Sequence, residues 1–125
     1  MKGWKGKWRK SVTDKVYSFM GLAMKAGKLV SGEEGCEKTI RSEKSFLVVV
    51  AEDASENTAK KFYSACEYRK VPYIRFGQKA ALGKILGKEI RSVIAVTDSG
   101  FAQKLSELIV NYQSNKKKHG GGLIE

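Results

Sequence analysis

The sequence predicts an α/β fold, a three-layer α/β/α sandwich around a small mixed sheet of four or five strands. Three observations predict it. Short apolar runs alternate with stretches of helical periodicity along nearly the whole chain. The run FLVVVA at 46–51 is unbroken and rich in valine, which reads as a central strand covered on both faces. And 125 residues, 42% of them hydrophobic, suffice for one domain with a real core but not for two. No internal repeat is visible.

In chain order, Val12, Val16, Phe19, Met20 and Ala23 recur at helical spacing, and Ser11 with Asp14 forms a candidate capping box ahead of them. Gly27 is placed to end this helix as a left-handed cap. Leu29 and Val30 make a short strand, and a second helix runs from about Gly32 to Ser42. The buried strand at 46–51 ends at Glu52 and Asp53. A third helix starts near Ser55 with Ala59, Phe62, Tyr63 and Cys66 on its apolar face, and it stops before Val71 and Pro72. A strand from Tyr73 to Phe76 leads to Gly77, a short helix covers 79–86, and Gly87 closes it. Val93 to Val96 is a strand. Asp98 or Ser99 then caps a long helix that turns Phe101, Leu105, Leu108, Ile109 and Tyr112 inward. The expected layout is a basic tail at 1–11, a domain at 12–114 and a flexible tail at 115–125, where a lysine run meets three glycines.

The net charge is +11 and is unevenly placed. Residues 1–10 carry five basic residues and no acid, and Lys116, Lys117 and Lys118 face Glu125 alone at the other end. Such ends either attract nucleic acid without sequence preference or serve only to solubilise. Trp4 and Trp8, interleaved with lysines, are candidates for base stacking. Cys36 and Cys66 lie among apolar helical positions and read as free buried thiols in a reducing cytoplasm. The basic N-terminus lacks the apolar stretch of a signal peptide, and the longest apolar run is far too short to span a membrane.

Catalysis and cofactor binding find little support. The only histidine, His119, falls in the tail, so the body offers no imidazole base. Residues 21–29 and 77–85 each resemble a phosphate loop ending in Gly-Lys. Both have five residues between glycines instead of four, and Leu29 or Ile85 where a magnesium-binding hydroxyl belongs. Helix caps and turns explain them better. Glu52 and Asp53 sit at a strand end, where ligands often bind, but adjacent strand residues point to opposite sides. An enzyme using them would need a pocket that holds both carboxylates. Two distant cysteines make no zinc site. No metal and no cofactor are expected.

Nucleic-acid binding is better supported. The stretch AGKLVSGEEGCEK at 26–38 packs a helix stop, a strand, a glycine turn and a helix start into thirteen residues. A helix opening at a glycine turn presents unpaired N–H groups and a positive dipole end. Lys28, Lys38 and Arg41 supply charge around it. Glu33 and Glu34 favour the dipole, and Lys38, one turn beyond Glu34, is placed for a local ion pair. Gly35 costs about 1 kcal/mol in a helix relative to alanine, so either the helix starts late or something approaches its backbone closely. A second basic loop, Lys88 and Arg91 flanking Ile90, precedes the last strand.

Four blocks in order, GLAMKAGKLVSGEE at 21–34, LVVVAEDAS at 47–55, CEYRKVPYI at 66–74 and LGKILGKEIRSVIAVTD at 82–98, carry a resemblance. Over about residues 12–112 the chain resembles the kink-turn-binding ribosomal protein family of the L-seven-Ae and thirty-e type, and within it the short bacterial members. The resemblance implies a cytoplasmic, non-enzymatic RNA-binding protein linked to the ribosome or to translation. Its partner would be structured RNA, with a kink-turn as the candidate form, in ribosomal or regulatory RNA or in ribosomal particles. By position, Gly32 matches the turn glycine, Lys38 the helix lysine on RNA, and Lys88, Glu89, Ile90, Arg91 and Ser92 the loop that packs on a flipped-out base. Where many members place Asn-Glu or Lys-Gln, this chain has Glu34 and Gly35. The RNA-binding set expected is therefore Lys28, Gly32, Glu33, Glu34, Lys38, Arg41 and Lys88 to Ser92. The alternative is a protein-interaction module on the same fold, its acidic turn at Glu33 and Glu34 meeting a basic partner.

Overall fold

The computed structural model describes residues 12–124, with side chains from 13 to 114. The candidate cap Ser11, Trp4, Trp8 and the basic leader lie outside the described residues. Helix α1 (Val12–Lys25) leads into strand β1 (Leu29–Ser31), α2 (Glu33–Arg41), β2 (Leu47–Val50), α3 (Glu56–Arg69), β3 (Tyr73–Arg75), α4 (Lys79–Ile85), β4 (Val93–Val96) and α5 (Ser99–Ile124). The α5 backbone stays helical to Ile124, through the stretch assigned above to a tail, and its side chains beyond residue 114 are outside the described set.

The sheet order is β1-β4-β2-β3. β4 runs antiparallel to both β1 and β2, and β3 runs parallel to β2, so the sheet is mixed with four strands. Successive side chains on a strand point to opposite faces. That alternation divides β2: Leu47 and Val49 enter one core with Val16, Met20, Leu105 and Ile109, while Val48 and Val50 enter a second with Cys36, Ile40, Phe62 and Cys66. β4 divides likewise, Ile94 and Val96 to one side and Val93 and Ala95 to the other. All eight side chains are buried, which is why both central strands read as apolar runs without alternation.

The helix boundaries follow local chemistry. Gly27, at φ +73°, ends α1: its N–H donates to Met24 O at 3.0 Å and the Lys28 N–H to Ala23 O at 2.9 Å, the paired bonds of a Schellman cap. Ser55 caps α3 by accepting from the Thr58 N–H at 3.1 Å, and Asp98 caps α5 by accepting from the Phe101 N–H at 2.9 Å. Asp53 reaches across to accept from the Lys79 N–H at 2.8 Å. Its carboxylate is therefore engaged in starting α4. Tyr63, expected inward on α3, is half exposed and meets Tyr73 edge to face, with ring centroids 5.4 Å apart. Cys36 and Cys66 are free and buried. Burial pushes their thiols up to about 12 and about 11, so neither is a nucleophile near neutral pH.

Candidate nucleic-acid interface

Antiparallel pairing assembles the candidate site. In the β1–β4 register Ser31 lies opposite Ile94, so β1 ends where β4 begins. The turn from β1 into α2 therefore sits beside the loop that feeds β4, although about sixty residues separate them in sequence. The Gly32 N–H donates to Val93 O at 3.0 Å and closes that junction. Arg91 then spans it, donating from Nε to Ser31 Oγ at 3.0 Å and from Nη1 to the Ile90 carbonyl at 2.8 Å. Held this way, Arg91 stays half-buried beside the turn while Ile90 is 54% exposed.

Gly32 is the N-cap of α2 with φ +94° and ψ +154°, a conformation that L side chains rarely adopt. As a glycine it gives the first-turn amides no side-chain cap. Gly35 has a packing explanation. The helix does not start late; a Cβ at Gly35 would lie 2.8 Å from Val30 Cγ1, and the missing side chain lets the first turn of α2 lie down on β1.

Loop 88–92 is held from behind by α4. The Lys88 N–H donates to Gly83 O at 2.7 Å and the Arg91 N–H to Lys79 O at 3.1 Å. A Cβ at Gly83 would stand 2.5 Å from the Glu89 carbonyl oxygen and 2.7 Å from Ile90 N. Gly83 lies inside α4, within the helix expected at 79–86, and is a seat for the loop.

The structure sets Gly32 beside the loop Lys88, Glu89, Ile90, Arg91 and Ser92, and Glu34 and Lys38 follow on the exposed side of α2, Lys38 about 9 Å of helix from the turn. It does not gather the remainder. Lys28 is exposed at the opposite end of β1, four residues or about 13 Å of strand from Gly32. Arg41 closes α2, about 13 Å of helix from the glycine turn. Glu33 faces α3: it accepts from Thr58 Oγ1 at 2.9 Å and pairs with Lys61 Nζ at 2.8 Å, and Lys61 also reaches Glu37 at 3.3 Å. The expected Glu34–Lys38 ion pair does not form among the described residues, because the pairing on this helix runs from Glu33 and Glu37 across to α3. Glu34 and Lys38 lie on the exposed stripe instead. Ser31, Thr58, Lys61 and Gly83 were not anticipated. Only Gly83, a glycine inside a short helical pattern, left a trace in the sequence.

Hydrogen bonds from Lys61 and then Thr58 hold the Glu33 carboxyl below its ordinary range, against a smaller opposing effect of burial. The clamp is therefore complete above about pH 4.3, the value of a free glutamate, and it is lost as pH falls through the lowered folded value. Glu33→Gln is expected to lower urea stability more at neutral pH than at about pH 3. The effect should be small, because both side chains of the pair remain over 40% exposed. The same deficit at both pH values would show that Glu33 does not act through its charge.

Comparison with known proteins identifies the family. The model of the ribosomal protein L7Ae/L30e/S12e/Gadd45 family matches residues 14–106. The chain is 50% identical over 93 residues to the RNA-binding protein YlxQ of Bacillus subtilis, an alignment covering 74% of this chain and 93% of that protein. It is 32% identical over 108 residues to the large ribosomal subunit protein eL8 of Thermoplasma volcanium, covering 86% and 89%. Among solved structures, the Giardia lamblia 15.5kD RNA binding protein shares the fold at 19% identity with a TM-score of 0.68, over 85% of this chain and 91% of that one. The chain belongs to the ribosomal protein L7Ae/L30e/S12e/Gadd45 family.

Proposed function

We propose that this protein is a non-enzymatic, cytoplasmic RNA-binding protein that docks structured RNA, a kink-turn in ribosomal or regulatory RNA, on the β1–α2 turn and loop 88–92. The observation that carries the proposal is Arg91 bridging the two segments through Ser31, with Ile90 exposed beside it. Backbone amides of the α2 start, with Lys38 and Arg91, position phosphates, and Ile90 packs on an unstacked base. Lys28 and Arg41 then lie at the margins of the contact. The relatives named for RNA binding and for the large ribosomal subunit support an RNA partner over a protein one. So does Glu33, whose carboxylate is turned to Thr58 and Lys61 of α3 and whose charge is offset there by Lys61. No described helix is long and apolar enough to cross a membrane.

Direct binding to a kink-turn RNA and to an unkinked duplex of matched length, across a salt series, tests the proposal. The kinked RNA is expected to bind more tightly at every salt concentration. Equal affinity for the two would reduce the interaction to charge attraction and overturn recognition of shape.

A further inference from the structure

A second basic and aromatic surface lies at the far ends of α2 and α3. Tyr68 is 81% exposed, the most exposed large aromatic or apolar side chain among the described residues. The Arg69 guanidinium lies over its ring, 5.5 Å from the centroid. Arg69 Nη1 donates to the Arg41 carbonyl at 3.2 Å and pairs with Glu43 at 3.5 Å, tying the end of α3 to the end of α2. Between the two helices runs a groove of about 210 Å³ lined by Glu37, Ile40, Arg41, Ala65, Tyr68 and Arg69. A broader polar depression of about 580 Å³ continues past Lys70. Glu37 is engaged by Lys61, whereas Arg41, Lys44 and Lys70 are exposed and form no ion pair among the described residues.

Cations near helix C-termini complement the helix dipole and need no ligand to explain them. Tyr68 is different. α3 already fills the core with Phe62 and Cys66, so the Tyr68 ring contributes little burial where it stands. An open ring backed by a guanidinium and flanked by unpaired cations is the chemistry that holds unpaired bases and their phosphates. Lys38 and Arg41 are three residues apart on the exposed side of α2, so a charged path leads from the glycine turn to this groove.

We propose that the α2–α3 groove binds a single-stranded RNA segment flanking the structured element, with one base stacked on Tyr68 and phosphates met by Arg41, Lys44 and Lys70. This inference rests on the RNA-binding reading above. The strand must be unpaired, because a paired base keeps both faces inside its own helix.

The test uses the full chain and fluorescence anisotropy at fixed salt, with a flush-ended kink-turn RNA and the same RNA carrying a short uridine tail at each end in turn. One tailed RNA is expected to bind more tightly than the flush one. Tyr68→Ala should remove at least about fivefold of that gain, while Tyr68→Phe keeps it. The flush RNA should not respond to either substitution. If no tail tightens binding, or if Tyr68→Ala leaves the gain intact, the inference is overturned. If the tailed RNA binds through Tyr68 while flush kinked and unkinked duplexes bind alike, the groove stands and the kink-turn reading falls.

Discussion

Lys38→Ala combined with Arg91→Ala is expected to weaken binding to a kink-turn RNA by about 30- to 1,000-fold at fixed salt. On the proposed reading each side chain makes a charge-assisted hydrogen bond to phosphate, and losing such a bond costs about 1.5–3 kcal/mol, with some sharing between neighbours. The salt dependence carries a second signature. Removing two phosphate contacts should reduce the slope of log affinity against log salt by about 1.5. Arg91 should contribute more than a phosphate contact, because it also holds Ser31 and the Ile90 carbonyl and so links the two halves of the site. Arg91→Lys separates these roles. It keeps a positive charge and loses the planar, multi-donor fork, so the salt slope should recover more than the affinity. A double mutant that binds like wild type, with affinity lost only when the basic ends at 1–11 and 115–125 are removed, would place the RNA on those ends instead.

Gly83→Ala is expected to destabilise the protein by about 1–3 kcal/mol through overpacking, and to weaken RNA binding by an order of magnitude or more in the fraction that stays folded. The new methyl would meet the backbone of Glu89 and Ile90, not the flexible end of a side chain, so loop 88–92 itself must move. Gly21→Ala is the matching control. It places the same methyl in α1 with nothing nearer than Ile85 Cγ1 at 3.8 Å. There helix propensity should dominate and stability should rise by up to about 1 kcal/mol. Urea denaturation of the two variants gives the signs. If Gly83→Ala also stabilises, or if its RNA affinity is unchanged, the loop is either free to relax or not part of the site.

Much of the fold was legible residue by residue. Gly27, Ser55, Asp98, and Val71 with Pro72 act through bonds or steric limits within a few residues of themselves, so the stops and starts they imply appear in place. The valine run at 46–51 reported burial on two faces, because a strand covered on both sides cannot alternate, whereas 93–96 was read only as a strand and its burial on both faces came from the structure. The candidate site was legible in part. Gly32 and the loop from Lys88 to Ser92 were singled out, and the strand pairing sets them side by side, while Lys38 stands on the exposed side of α2. Lys28 and Arg41 were grouped with them by nearness in sequence, but a strand and a helix carry each about 13 Å away. Glu33 was read from its place at a helix start, where a carboxylate has a sufficient local reason to be. Its actual partners, Thr58 and Lys61, lie about 25 residues downstream on another helix.

The sequence by itself determined the layered α/β class, the order and approximate ends of the elements, the glycine that opens α2, and the family resemblance. These depend on periodicity, turn chemistry and spacing, which are properties of neighbouring residues. Only the tertiary structure decided that β4 pairs antiparallel with β1, and that pairing alone sets Arg91 against Ser31 across about sixty residues. It also decided why Gly35 and Gly83 are glycines, since each is answered by a distant element, Val30 of β1 and the backbone of loop 88–92. The physical reason is common to all three. A glycine or a cation in sequence states what a position permits, and the partner that makes use of it is supplied by strand register and helix packing.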